Sequence, residues 1–102
     1  MKRKIRIELP VAWITDFCER WKIKEFSVFG SVLHEDFGLD SDVDVLLSFQ
    51  EDAPWGLFEF IDMKEELEKV LGREVDIVEK EGIRNPFRRN EILRNREVIY
   101  AV

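Results

Sequence analysis

The sequence predicts an α/β (α+β) chain with a small mixed β-sheet covered by helices. Short apolar runs of strand length alternate with longer stretches of helical periodicity, and Gly and Pro punctuate the joins. No internal repeat, low-complexity tract or linker divides the chain, so residues 1–102 read as one domain. Eight Phe and three Trp among 102 residues can bury a real core despite a charged fraction of 37%.

A short basic-apolar lead, Lys4-Ile5-Arg6-Ile7, precedes Pro10, which suits the first position of a helix. Val11, Ile14, Cys18 and Trp21 then recur at spacings of three and four, an amphipathic stripe. Phe26 to Phe29 reads as a short buried strand stopped by Gly30, and Ser31 begins what looks like a short helix. Val43 to Phe49 is a second strand, alternating at first and then fully apolar. Pro54 and Gly56 open a helix with Leu57, Phe60, Ile61, Leu67 and Leu71 on one side. Its other side carries Lys64–Glu68 and Glu65–Lys69 at i,i+4. Gly72 stops it, and Glu74 to Val78 forms a third strand. Asn85 and Pro86 supply an N-cap and a first-turn proline for a last helix near 86–94, and the apolar tail 98–102 docks as a strand or turn.

Composition removes several classes of function. No apolar run approaches the roughly 20 residues of a membrane span, and the basic start is not followed by an apolar signal region. One Cys and one His exclude an internal disulfide, a multi-Cys zinc site and any mechanism needing a His pair, and a single thiol agrees with a reducing, cytoplasmic setting. Residues 35–81 hold sixteen acidic and four basic side chains, whereas both flanking segments are basic. That segregation disfavours nucleic acid as a direct partner and points to a cation site or a basic protein surface.

The chemistry concentrates in Gly30-Ser31, ten further residues, then Asp42-Val43-Asp44. A glycine at a strand end lets another group approach the backbone closely, and a following helix start offers free N–H groups and a serine hydroxyl to phosphate oxygens. Residues i and i+2 of a strand share a face, so Asp42 and Asp44 lie side by side and repel unless a cation intervenes. Mg²⁺ is the natural remedy, since it takes oxygen ligands and keeps water and phosphate in its shell. Asp76 interrupts the third strand's apolar alternation. If that strand pairs beside the second, three carboxylates converge, enough to hold two Mg²⁺ ions about 3.5–4 Å apart for in-line phosphoryl displacement.

The combined pattern of Gly30-Ser31, Ser41-Asp42-Val43-Asp44 and Val75-Asp76 resembles the minimal nucleotidyltransferases of the polymerase-beta-like superfamily, the small MNT proteins encoded beside HEPN-domain toxins. The resemblance covers roughly residues 10–102. It implies the nucleotidyltransferase fold, with Gly30 and Ser31 holding a triphosphate and Ser41 orienting the turn. It further implies that Asp42 and Asp44 ligate both metals, and that Asp76 completes the inner metal site and helps activate the attacking hydroxyl. The implied activity is transfer of a nucleoside monophosphate, AMP if ATP is the substrate, to a hydroxyl of a cognate HEPN toxin, with tyrosine as the expected acceptor and the chain acting as antitoxin. The chain departs from the family at His34 and Glu35, where an arginine and a glycine are common. That departure supports an alternative expectation, a non-catalytic antitoxin that neutralises its partner by contact; a nucleotide sensor without turnover is a third. A homo-oligomer is compatible with all three.

Plainer expectations attach to other residues. Cys18 reads as a small core hydrophobe and His34 as an exposed residue. Phe37, Phe49 and Trp55 could stack on a base or cover a partner, but lining the edge of the core is the plainer expectation; Arg84, Arg88, Arg89, Arg94 and Arg96 could grip phosphate or an acidic partner, but more often such a run is a solvated helix face.

Overall fold

Each apolar stripe finds a face of one four-stranded sheet. The computed structural model describes residues 4–102, so Met1 to Arg3, the start of the basic lead, lie outside the described residues. In chain order the elements are α1 (Val11–Arg20), β1 (Ile23–Phe29), a 3₁₀ turn (Gly30–Leu33), β2 (Val43–Phe49), α2 (Leu57–Leu71), β3 (Val75–Glu79), a second 3₁₀ turn (Lys80–Gly82), α3 (Pro86–Arg94) and β4 (Glu97–Ala101). The sheet order is β3-β2-β1-β4, with β2 and β3 parallel and the other pairs antiparallel. The parallel pair is joined by α2, the crossover that parallel strands require.

Alternation along the strands assigns two cores. Phe26 and Val28 of β1, Val43, Val45 and Leu47 of β2 and Val75 of β3 pack with Ile14, Phe17 and Cys18 of α1 and Met63 and Leu67 of α2. On the opposite face Phe29, Leu46, Ile83 and Ile92 form a smaller cluster beneath α3. The apolar run in β2 is thereby explained, because both faces of this central strand are covered. A register shift between Ile23 and Glu25 lets Ile23 stay in the main core while Glu25 points to the α3 side. There its carboxylate accepts from Lys80 Nζ (2.9 Å), Arg96 Nε (2.7 Å) and Ser27 Oγ (2.7 Å).

Three expectations need correction. Pro10 is the N-cap rather than the first helical residue, and its carbonyl accepts the Ile14 N–H at 2.9 Å. The buried seam of α2 runs through Met63 and Leu67, with Phe60 and Leu71 half-buried, while Leu57 and Ile61 are exposed. Trp55 anchors the chain just before α2, packing edge-on against Trp21 with ring centroids 5.0 Å apart and donating its indole N–H to the Trp21 carbonyl at 2.6 Å. The two i,i+4 ion pairs of α2 are not formed among the described residues. Glu68 instead accepts the Val75 N–H at 3.0 Å, tying the helix to the start of β3.

Two glycines meet a conformational demand. Gly72 ends α2 at φ +68° with its N–H on Glu68 O (2.8 Å), and Gly30 turns the chain out of β1 at φ +74°. Gly30 thereby sets the edge of the site.

Candidate active site

The site lies at the end of the sheet where β1 stops and β2 and β3 begin. Asp44 is opposite Phe29 of β1 on one side and Asp76 of β3 on the other. Paired residues of adjacent strands share a face, so Asp44 and Asp76 project together, toward the α3 side of the sheet. Asp42 immediately precedes β2, two residues from Asp44, and the carboxylates of Asp76 and Asp42 both act on Asp44. The third acid therefore stands with the first two, because β3 does pair beside β2, the condition on which that convergence depended.

Gly30 and Ser31 close the opposite side. A side chain at Gly30 would collide with Asp44 Oδ2, so the bare backbone is what allows the carboxylate to sit against the turn. Ser31 Oγ donates to the Asp42 carbonyl at 3.2 Å, linking the Gly-Ser corner to the acidic pair. Ser41 acts in the turn before β2: its Oγ accepts the Gly38 N–H at 3.0 Å, and its own N–H donates to Gly38 O at 3.2 Å.

Sequence reasoning missed what holds that turn. Arg73 donates from one nitrogen to Gly38 O (2.8 Å) and Ser41 O (2.9 Å), and its guanidinium lies 4.4 Å over the Phe37 ring. It clamps residues 37–41, and so Asp42, onto the start of β3. An arginine at a helix–strand junction carries no signal for such a role, because the aromatic and the two carbonyls come from a loop more than thirty residues upstream.

Electrostatics favour a cation here. Burial, then the neighbouring Asp76 and Asp42 carboxylates, push the Asp44 carboxyl above its ordinary value, and Arg88 of α3 offsets this only in part. As they stand, no three acidic, imidazole or thiol side chains among the described residues enclose a metal ion. The donor chemistry nevertheless fits Mg²⁺, which needs only one or two carboxylates and completes its shell with water and phosphate. The three acids supply hard oxygens whose mutual repulsion a divalent ion removes.

A cavity of about 650 Å³ opens beside this corner, between the Gly30–His34 turn and α3. Phe29, Leu33 and Ile92 give it an apolar wall, and Gly30, His34, Arg88, Glu91 and Asn95 line the rest. His34 is exposed and Cys18 is buried, as expected, and burial followed by the Glu19 charge pushes the Cys18 thiol up to about 12. Phe37, Phe49 and Trp55 pack against the edge of the main core. The five arginines do not form one solvated face. Arg89 donates to Lys80 O at 2.6 Å, Arg96 binds Glu25, and Arg88 faces the cavity.

A mixed sheet that presents paired aspartates opposite a Gly-Ser corner defines the class of small nucleotide-transferring domains. The chain belongs to the nucleotidyltransferase domain family, whose sequence signature matches residues 13–99. It is 39% identical over 83 residues to the protein adenylyltransferase MntA of Thermococcus cleftensis, covering 81% of this chain and 79% of that one. A solved minimal nucleotidyltransferase superposes with a TM-score of 0.70 at 33% identity, covering 85% of this chain and 86% of the other. The fold also matches a chain of a toxin–antitoxin crystal structure with AMP-PNP (TM-score 0.74, 14% identity, 92% and 75% covered). A further match is to a Shewanella oneidensis complex of a tri-AMPylated HEPN toxin with its MNT antitoxin (TM-score 0.66, 14% identity, 90% and 70% covered). Among the described residues, no helix is long and apolar enough to cross a membrane.

Proposed function

We propose that this nucleotidyltransferase transfers AMP from ATP to a tyrosine hydroxyl of a cognate HEPN toxin in the cytoplasm, and so acts as its antitoxin. The observation that carries the reading is the pairing of Asp44 with Asp76 across parallel strands, with Asp42 alongside and the Gly30-Ser31 turn opposite. In this reading Asp42, Asp44 and Asp76 hold Mg²⁺, Gly30 and Ser31 hold the triphosphate, and Ser41 keeps the intervening turn in place. Mg²⁺ when bound, in one or two sites, supplies positive charge to the phosphates and to the departing pyrophosphate. The acceptor oxygen bonds to the α-phosphorus, the bond to the bridging oxygen breaks, and pyrophosphate leaves. Asp76, the most exposed of the three acids, orients the incoming hydroxyl and receives its proton in this reading. Asp76 is exposed, which leaves the acid cluster accessible to the hydroxyl of a docked partner.

Incubation with the partner, labelled ATP and Mg²⁺ tests the proposal. Label is expected on the partner's tyrosine, and Asp42→Asn with Asp44→Asn should remove it. If toxin neutralisation persists undiminished in that double variant, the partner is held by contact alone and the transferase reading fails.

A further inference from the structure

Two faces of the molecule present apolar side chains to solvent, and their surroundings are opposite in charge. The first is the outer side of α2 in its first turns. Leu57, Phe58 and Ile61 are 73%, 78% and 44% exposed, and helical spacing places them together, away from the Met63–Leu67 seam. Because α2 follows the end of β2, this ridge lies at the end of the sheet away from Asp44. Glu51, Asp62 and Glu65 are exposed around it and make no ion pair among the described residues. Residues 51–62 hold four acids and no base. A hollow of about 320 Å³ beside the ridge is lined by Trp21, Asp62, Glu65, Glu66 and Lys69.

The second face is the start of α3. Phe87 is 85% exposed, on the side of the helix away from the buried Ile92. Arg94, seven residues on, shares that side, and Arg84 precedes the helix; both are exposed and make no ion pair among the described residues. Residues 82–102 carry five bases against two acids. The acidic, apolar ridge and the basic, aromatic helix start are therefore complementary to each other. A two-fold contact of ridge on ridge would set Asp62 and Glu65 against their own equivalents, and α3 on α3 would do the same with arginine.

We infer that the α3 start of one copy of this chain docks on the α2 ridge of a second copy. Phe87 packs against Leu57, Phe58 and Ile61, and an arginine enters the hollow beside Trp21, where Asp62 and Glu65 pair with it. The contact is head-to-tail, so a pair keeps one free ridge and one free Phe87. Four exposed apolar side chains are a small core beside the roughly 20–30 residues a side of a stable interface, so association is weak and grows with concentration. The inference is independent of the transfer chemistry proposed above.

Light scattering of the full chain after size-exclusion chromatography, over a range of concentrations, tests it. The mean mass of the wild type should rise with concentration. Phe58→Glu and Phe87→Glu should each weaken self-association about tenfold or more. Mixed in equal amounts, these two variants should form a one-to-one pair and nothing larger, because one retains Phe87 and the other retains the ridge. Asp62→Lys with Glu65→Lys should also weaken association, and adding Arg84→Glu with Arg94→Glu to the same chain should restore it. Every position is exposed, and unchanged thermal midpoints establish that the variants are folded. A wild type that stays monomeric throughout overturns the inference and leaves the ridge to a different, basic protein. Self-association that survives Phe87→Glu, a mixture of the two variants that does not pair, or a charge reversal that is not restored overturns it equally.

Discussion

At the scale of single residues, Gly30 and Asp44 form one unit. Gly30 adopts φ +74° and leaves no room for a Cβ beside Asp44 Oδ2. Gly30→Ala should therefore cost about 1–2 kcal/mol from backbone strain alone, and displacement of Asp44 adds to it. A lowered denaturation midpoint together with lost Mg²⁺–ATP binding is the expected result. Asp44 itself is held at a cost to stability. Its carboxyl is raised by burial and then by Asp76 and Asp42, so the folded chain keeps a proton that the unfolded chain releases at lower pH. Stability consequently falls as pH climbs from the ordinary carboxylate range through the raised value, and the deficit remains at neutral pH. Asp44→Asn should raise the melting temperature of the metal-free protein at pH 7 and flatten this part of its pH profile, while abolishing nucleotide transfer. A lower melting temperature at pH 7 would show that the ionised Asp44 carboxylate stabilises the fold and would overturn this reading.

At the scale of elements, α3 rests on little core. Its buried support is a small cluster around Ile92, and its N-terminus is held by Asn85, whose Oδ1 accepts from Phe87 N (2.9 Å) and Arg88 N (3.1 Å). Asn85→Ala should destabilise the protein by about 1 kcal/mol, measured by urea denaturation with an unchanged slope. Legibility also varied by element. The Asn85-Pro86 start of α3 and the Gly72 stop of α2 were plain, because caps are local chemistry. The buried seam of α2 was not, because the stripe through Leu57 and Ile61 and the one through Met63 are both helically spaced. Met63 and Leu67 belong to the core shared with Phe17, Val45 and Val75, residues of other elements that α2 meets only in the folded chain.

At the scale of the whole molecule, Glu25 joins β1 to the 3₁₀ turn after β3 and to the segment between α3 and β4. Burial alone would raise its carboxyl, but Lys80, Ser27 and Arg96 outweigh that and hold it below the ordinary value. The stability it contributes is complete above the unfolded carboxylate's pKa and drains away as pH falls through that range toward the lowered value. Glu25→Gln should cost about 3 kcal/mol at neutral pH, the low end for breaking a buried ion pair because Lys80 and Arg96 keep some contact with water, and should make unfolding less sensitive to acid. Thermal melts from pH 7 to pH 3 would show both effects.

The residues alone determined the alternation of helices and strands, the Gly-Ser corner and the side-by-side aspartates at 42 and 44. These follow from local rules: side-chain period, caps and the freedom of glycine. Only the tertiary structure decided that β3 lies parallel beside β2 with Asp76 level with Asp44, that Arg73 clamps the turn before Asp42, and that Arg88 alone of five arginines lines the cavity beside the acids. Each of these depends on which surfaces meet after the chain crosses from one strand to the next. That choice is made by packing between segments distant in sequence, which no local pattern encodes.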